Sequence, residues 1–234
     1  GFFMKHTEIF KQLKGHLIVS CQALEDEPLH SSYIMSRMAY AAFEGGAKGI
    51  RSNSVEDIKA IKETVSLPVI GLIKKVYEGV GADVYITPTE AEIDALAESG
   101  CDIIAMDATK RVRPNGMTIS EFFPIIRKKY PDLLFMADCS TYEEGVEAQR
   151  LGFDCAGTTL SGYTPYTKGR TLPDFEMIGR PAKDLSIPVI AEGGIWSPEQ
   201  LQKALEVGAT AAVVGTAITR PREITRRFVS AIEK

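Results

Sequence analysis

The sequence predicts an α/β fold, a single (β/α)8 TIM barrel with a short N-terminal helix. Eight short apolar runs alternate with amphipathic segments, and strands that are apolar throughout are typical of a parallel sheet covered by helices. The length of 234 residues is close to that of one such barrel. A doubly wound open sheet shares the alternation but seldom keeps eight regular units. We therefore expect one domain over residues 1–234, with residues 1–3 a remnant of an expression tag before Met4.

The order of apolar runs and helix signals places each element. The eight predicted strands span 16–23, 47–53, 67–74, 101–109, 133–140, 153–163, 187–192 and 209–215. An amphipathic segment over residues 5–13 is expected to close the bottom of the barrel, and a short extra strand is expected at 84–87. Residues 140–144 fit a capping box that starts a helix. Glycines at 100, 152 and 208 mark helix-to-strand returns at the bottom, a structural role.

Composition and charge exclude several classes of protein. A net charge of −4 gives no support to nucleic-acid binding. Apolar runs of membrane-spanning length and the residue order of a signal peptide are both absent from the sequence. The four cysteines, at 21, 101, 139 and 155, lack metal-type spacing and lie in apolar runs. They predict buried free thiols and a cytoplasmic protein.

Polar residues stand at the carboxyl ends of the predicted strands, where the active sites of barrels lie. They are Gln22, Arg51, Lys74, Asp107, Asp138, Thr158, Thr159, Glu192 and Gly215. Burying charge is costly unless the group pairs or acts. An ion-pair network that holds the mouth together would explain any one of them. For Arg51, Lys74, Asp138 and Glu192 taken together we favour a functional site.

Lys74 ends an apolar run, where its ammonium would lie near Arg51. Desolvation and like charge both lower a lysine pKa, which suits a general base or a Schiff-base nucleophile. The alternative is a structural ion pair with Glu192 or Asp138. Glu192 immediately precedes a glycine pair, so its carboxyl is expected near the reacting carbon of a substrate.

The last two strands end in glycines, as phosphate sites in barrels commonly do. We expect Gly193, Gly194, Gly215 and Thr216 to bind a phosphate, with Arg220 as a ligand to the phosphate or the sugar. The basic loop at 110–113 could bind an anion, but we expect it to be solvated. His30 alone is weak support for chemistry, and without paired histidines and acids we predict no metal site.

Seven long stretches carry a resemblance to a known family. They are GHLIVSCQALEDEPLHSS, VIGLIKK, VYITPT, IIAMDATKRVRP, MADCST, GFDCAGTTLSGYT and VVGTAITRP. From about residue 14 onward the chain resembles the N-acetylmannosamine-6-phosphate 2-epimerases (N-acylglucosamine-6-phosphate 2-epimerases) of sialic acid catabolism. The resemblance implies interconversion of N-acetylmannosamine 6-phosphate and N-acetylglucosamine 6-phosphate, with no nicotinamide or metal cofactor.

The resemblance also implies roles for single residues. Lys74 and Glu192 would be catalytic, and the substrate-binding residues would be Gln22, Arg51, Asp138 and Arg220. The chain departs from the family in one place. The family pattern has a basic residue after the glutamate-glycine pair, whereas this chain has Gly194. Backbone amides or Arg220 would then supply part of the phosphate contact.

Two other functions fit the same residues. A strand-end lysine could form a Schiff base, as in aldolases and lyases that act on sugar phosphates. A barrel could also bind a sugar phosphate as a sensor without turning it over. Barrels commonly associate through outer helices, so we consider a homodimer, in which Met35, Met38 and Tyr40 are either core or interface.

Overall fold

Eight parallel strands close into a barrel, which confirms the predicted fold class. The computed structural model describes residues 2–76 and 84–233, and side chains only from residue 8 onward. The strands of this part are β1 (Leu17–Cys21), β2 (Gly49–Asn53), β3 (Val69–Leu72), β4 (Lys74–Val76), β5 (Val84–Ile86), β6 (Ile103–Asp107), β7 (Leu134–Asp138), β8 (Cys155–Gly157), β9 (Val189–Glu192) and β10 (Ala211–Val214). Around the barrel they follow the order β1-β10-β9-β8-β7-β6-β3-β2.

Helices connect the strands on the outside. Those in the described part of the chain are α1 (Phe2–Leu13), α2 (Ser32–Glu44), α3 (Val55–Thr64), α4 (Glu90–Ala97), α5 (Ile119–Lys129), α6 (Tyr142–Leu151), α7 (Phe175–Asp184), α8 (Pro198–Glu206), α9 (Thr216–Thr219) and α10 (Pro221–Ser230). The predicted capping box is present, because Thr141 and Glu144 exchange side-chain and backbone hydrogen bonds at the start of α6. None of these helices has the length and apolar character needed to cross a membrane.

Side chains alternate between two cores along each strand. Ile18 and Ile70 pack inside the barrel, whereas the neighbouring Val19 and Val69 pack against the outer helices. Ile9 and Leu13 of α1 join the inner core. A Cβ at Gly49 would lie 2.7 Å from Leu13, so glycine permits the close approach of this helix. The prediction that the N-terminal helix closes the barrel bottom is confirmed.

Two predicted strands differ from the observed ones. The strand expected at 67–74 ends at Leu72, and Lys74 instead begins β4, which pairs antiparallel with β5 in a separate two-stranded ribbon. The extra strand expected at 84–87 is thus present as β5; residues 77–83 of this loop lie outside the described residues. The strand expected at 153–163 ends at Gly157, because turns such as Ser161 N–H to Thr158 O replace the ladder.

Candidate active site at the barrel mouth

A cavity of about 680 Å³ lies at the carboxyl ends of the strands. Nine of the ten predicted site residues line it: Gln22, Arg51, Lys74, Glu192, Gly193, Gly194, Gly215, Thr216 and Arg220. Asp138 is completely buried and contributes from below, through Arg51. Parallel strands in a closed barrel bring their carboxyl ends to one mouth, which is why residues far apart in sequence meet here.

Arg51 and Asp138 form a buried bidentate ion pair beneath the cavity. The two guanidinium nitrogens Nη1 and Nη2 lie 3.2 and 2.7 Å from the two carboxylate oxygens. Arg51 Nε lies 3.3 Å from Glu192 Oε2 but makes no aligned hydrogen bond. Burial alone lowers the pKa of Arg51, but the carboxylates of Asp138 and Glu192 outweigh it and raise this pKa. Arg51 therefore remains a fixed cation at the base of the site.

Lys74 lines the cavity without an ion pair to any described residue. Its backbone N–H donates to Asn53 Oδ1 at 3.0 Å, which fixes the start of β4. Desolvation, followed by the charges of Arg220 and Arg51, lowers the pKa of Lys74 to about 8. Since Lys74 has no ion pair to a described residue, the alternative of a structural ion pair with Glu192 or Asp138 is wrong. A neutral amine is accessible near neutral pH.

Glu192 ends β9, and 15% of its side chain is exposed. Desolvation raises its pKa to about 7, with a further contribution from Asp138 and opposition from Arg51 and Lys74. Its Oε1 is buried and has no hydrogen-bond partner among the described residues. The carboxyl can therefore gain or lose a proton near neutral pH and offers a free oxygen to a ligand.

Gln22 presents a carbonyl oxygen in the same way. Its Nε2 donates to Ser20 Oγ at 2.8 Å, and its buried Oε1 has no partner in the described part of the chain. An amide N–H of a ligand would satisfy this oxygen.

The loops after β9 and β10 form a small cradle of backbone amides. Gly193 and Gly194 have φ values of 113° and 73°, which favour glycine. A Cβ at Gly194 would lie 2.4 Å from Leu172 Cβ, so this backbone has no room for a side chain at residue 194. No hydrogen bond within the described residues uses the backbone N–H groups of Gly194, Gly215 or Thr216. Bare amides of this kind suit an anion.

Arg220 lies between α9 and α10 and borders this cradle. Its Nε donates to Glu27 Oε1 at 2.8 Å, and its Nη1 to Thr216 Oγ1 at 3.3 Å. Desolvation raises the pKa of Glu27, but hydrogen bonds from Arg220 and Leu24 outweigh it, so the pKa is lowered overall. The carboxylate therefore holds Arg220 at the rim. Sequence reasoning missed Glu27, because a loop acid carries no signal of its distant partner.

The basic loop is solvated only in part, because Lys110 and Val112 are exposed whereas Arg111 is partly buried and Arg113 is buried. Arg111 lines the cavity and pairs with Asp107, so Asp107 serves the loop and not the cavity. Arg113 is 2% exposed and packs on the ring of Phe122, where burial lowers its pKa to about 10. The expectation was wrong for the two arginines because their side chains fold back against the barrel, which charge alone does not reveal.

Two neighbouring threonines at the end of β8 have different positions. The Thr158 hydroxyl bridges the backbone N–H and C=O of Glu192, at 3.0 and 2.9 Å. Thr159 lines the cavity. Both were predicted to face the mouth, and only Thr159 does.

Metal and disulfide chemistry find little support in the described residues. They contain no group of three or more His, Cys, Asp or Glu side chains placed to hold a metal ion. The four cysteines are free thiols, three of them buried. The absence of a resident cofactor stays a prediction.

Comparison with known proteins now identifies the family. A family model described as "Putative N-acetylmannosamine-6-phosphate epimerase" matches residues 35–234. The chain belongs to this epimerase family. A relative from Caldanaerobacter subterraneus subsp. tengcongensis is 60% identical over 97% of this chain and 95% of its own length. One from Clostridioides difficile is 56% identical over 95% and 98%. Both carry the name "Putative N-acetylmannosamine-6-phosphate 2-epimerase".

A solved structure of an epimerase agrees with the fold. The N-acetylmannosamine-6-phosphate 2-epimerase from Clostridium perfringens superposes with a TM-score of 0.89 at 54% sequence identity, covering 95% of this chain and 96% of that one. The family resemblance predicted from the sequence motifs is confirmed.

Proposed function

We propose that this epimerase-family chain is an N-acetylmannosamine-6-phosphate 2-epimerase. It inverts C2 of N-acetylmannosamine 6-phosphate to give N-acetylglucosamine 6-phosphate, a step of amino sugar and sialic acid catabolism. The observation that carries the proposal is one cavity holding a carboxyl with a pKa of about 7 and a lysine with a pKa of about 8 that has no ion pair among the described residues. An amide cradle suited to phosphate borders the same cavity.

The chemistry explains why two such groups are needed. The C2 proton of the closed sugar ring is too weakly acidic to be removed. Ring opening removes the proton from the C1 hydroxyl, breaks the bond between C1 and the ring oxygen, delivers a proton to that oxygen and leaves an aldehyde at C1. The adjacent C2–H then ionises to an enolate, and a proton returned to the opposite face of C2 gives the epimer. The epimerisation therefore requires no oxidant or reductant.

Each group has a role that its environment supports. Neutral Lys74 accepts the C2 proton, and Glu192 handles the proton of ring opening or the charge on O1. The fixed cation of Arg51, held from below by Asp138, offsets charge on the enolate. Gln22 Oε1 accepts the N–H of the acetamido group and so orients C2. Gly193, Gly194, Gly215 and Thr216 bind the phosphate through backbone amides, assisted by Arg220.

A Schiff-base function is the second candidate, because the lowered pKa of Lys74 suits a nucleophile as well as a base. A lysine imine forms only if the amine attacks the aldehyde carbon, whereas the epimerase uses the amine to take a proton. Borohydride added together with the sugar phosphate distinguishes the two. A trapped covalent adduct on Lys74 would favour the lyase class, and full retention of activity after borohydride would favour the epimerase.

Proton NMR of N-acetylmannosamine 6-phosphate with the protein in D2O tests the proposed function. We expect the C2 proton signal to disappear as the glucosamine epimer forms. Epimer formation with the C2 proton retained would indicate transfer by one base shielded from solvent. No epimer with the ligand still bound would contradict the proposal and support the sensing barrel.

Assembly and location are part of the proposal. We propose a homodimer in which α2 contributes; Met35 is fully buried and therefore core, whereas Tyr40 is 42% exposed and available to a partner. A mass of one chain in light scattering at working concentration would contradict the dimer. We also propose a cytoplasmic location, supported by the free thiols. Fractionation of the source cells would test it.

A further inference from the structure

Thr159 is a cavity residue to which neither the family resemblance nor the proposed mechanism assigns a role. It lies two residues beyond β8 and lines the cavity together with Glu192 and Lys74. Its hydroxyl donates a hydrogen bond of 2.6 Å to Asp138 Oδ1. No other hydrogen bond to this hydroxyl comes from the described part of the chain.

The partner fixes the direction of that hydrogen bond. Asp138 is completely buried and bound to both terminal nitrogens of the Arg51 guanidinium, which can only donate. Asp138 is therefore a carboxylate, and a carboxylate only accepts. A hydroxyl has a single proton. Because Thr159 uses that proton to donate its hydrogen bond to Asp138, the hydroxyl can only accept from a ligand. Its lone pairs lie beside the cavity.

The adjacent threonine shows what a purely structural hydroxyl looks like in the same segment. Thr158 donates to the carbonyl of Glu192 and accepts from its N–H, so both of its capacities are used within the protein. It is buried and does not line the cavity. Thr159 differs because it donates within the protein but accepts no hydrogen bond from a described residue, so its accepting lone pairs are left to a ligand.

The position of Thr159 indicates which part of the substrate it meets. A Cβ at Gly193 would lie 4.0 Å from the Thr159 carbonyl, so Thr159 adjoins the loop of the amide cradle. Glu192, at the reacting end, immediately precedes that glycine. The stretch between C2 and the phosphate carries hydroxyls at C3, C4 and C5. This step rests on the proposed function, which sets the two ends of the ligand.

We propose that Thr159 Oγ1 is a substrate-binding acceptor for one of these sugar hydroxyls. Asp138 thus has two tasks, because it holds the Arg51 cation and sets the polarity of Thr159. The site would recognise a hydroxylated chain between C2 and the phosphate and reject a deoxy chain, since an acceptor left without its donor loses affinity.

Binding by calorimetry tests this proposal. The ligands are N-acetylglucosamine 6-phosphate and its 3-deoxy, 4-deoxy and, as the open-chain alditol, 5-deoxy analogues. The wild-type protein should bind one analogue about five- to tenfold more weakly than the parent. Thr159→Val should weaken binding of the parent by a similar factor and leave binding of that one analogue unchanged. Thr159→Ser should restore the wild-type pattern.

Two results would overturn the proposal. One is that the wild-type protein binds all three analogues as tightly as the parent, a measurement that needs no variant. The other is that Thr159→Val weakens every ligand equally, which is the signature of a structural role and the result expected for the matched Thr158→Val. Epimerisation of the parent sugar by the wild type is measured separately. If the wild type does not epimerise the parent sugar but still binds the analogues selectively, the proposed function is contradicted and the proposed role of Thr159 is not.

Discussion

The two ends of the barrel differ in whether their charged side chains have hydrogen-bond and ion-pair partners. At the bottom, Asp154 accepts from Arg127 Nη2 and from the backbone N–H of Phe135, both at 2.8 Å. Asp102 likewise accepts from Lys62 and from the backbone N–H of Val69, both at 2.9 Å. Each carboxylate ties a helix-to-strand return to the neighbouring strand. This confirms the structural role predicted for these returns.

At the mouth, buried polar atoms lack partners. Within the described residues, Glu192 Oε1, Gln22 Oε1 and Arg51 Nε have no hydrogen bond, and Lys74 has no ion pair. Leaving a buried polar group unsatisfied costs about 1–3 kcal/mol. The fold tolerates that cost where a ligand supplies the missing partners, and avoids it at the bottom, where the side chains only hold the structure. Arg113 is an exception, because its buried guanidinium nitrogens also lack partners in the described part of the chain although it does not line the cavity.

The largest expected effect is on turnover when a mouth lysine is replaced. Lys74→Met removes the proposed base, so kcat should fall by at least about 10²–10⁴-fold while the ligand Kd changes little. Lys62→Met at the bottom is the matched control and should keep the wild-type kcat. Epimer formation followed by NMR measures both. Comparable turnover in Lys74→Met would remove Lys74 from the mechanism.

The pH dependence should report the mouth pair. Lys74 accepts a proton only when neutral, above its pKa of about 8, and Glu192 donates one only when protonated, below its pKa of about 7. We expect kcat/KM to be bell-shaped, with apparent pKa values of the pair near these two and about a tenfold change per pH unit on each side.

Glu192→Gln sharpens this prediction. The carboxylate of Glu192 raises the pKa of Lys74, so its removal should lower that pKa below about 8. The residual kcat/KM should then rise with pH to a plateau and lose its alkaline fall. A bell-shaped profile that survives in this variant would show that Glu192 is not the second titrating group.

Replacing a bottom carboxylate should affect stability and leave catalysis unchanged. Asp154→Asn weakens the contacts to Arg127 and to the backbone of Phe135, and we expect a loss of about 1–3 kcal/mol in the free energy of unfolding. Urea denaturation measures the loss, and kcat/KM should be unchanged below the transition. A large fall in kcat/KM in the folded variant would show that the two ends are coupled.

The smallest expected effect is a gain in stability when Lys74 is replaced. Lys74 has a pKa of about 8 when folded, against 10.5 as the ordinary value, so the unfolded chain binds more protons between these limits. Stability is therefore lost as pH falls from 10.5 to 8, by at most about 3 kcal/mol and, after solvent screening, about 1 kcal/mol. Lys74→Met should raise Tm at pH 7, and the gain should vanish above pH 10.5. An equal gain at both pH values would mean that Met merely packs better.

Much of the fold follows from local pattern. Apolar runs of strand length alternating with amphipathic helices leave few arrangements other than a barrel, and capping residues such as Thr141 and Glu144 act within one turn. The break after Leu72 escaped prediction, because Lys74–Val76 leave the barrel to pair with Val84–Ile86, and the apolar run itself continues without a signal.

The sequence by itself determined which residues reach the mouth. In a parallel barrel all strands point toward one face, so the positions of Arg51 in β2 and Glu192 at the end of β9 follow from topology alone, whereas Lys74 reaches the mouth from the β4–β5 ribbon just beyond β3. Only the tertiary structure decided how these groups are partnered. Asp138 meets Arg51 across 87 residues of sequence, and Glu27 meets Arg220 across 193. Such pairings depend on strand register and loop path, and they set the burial and charge that give Lys74 its pKa.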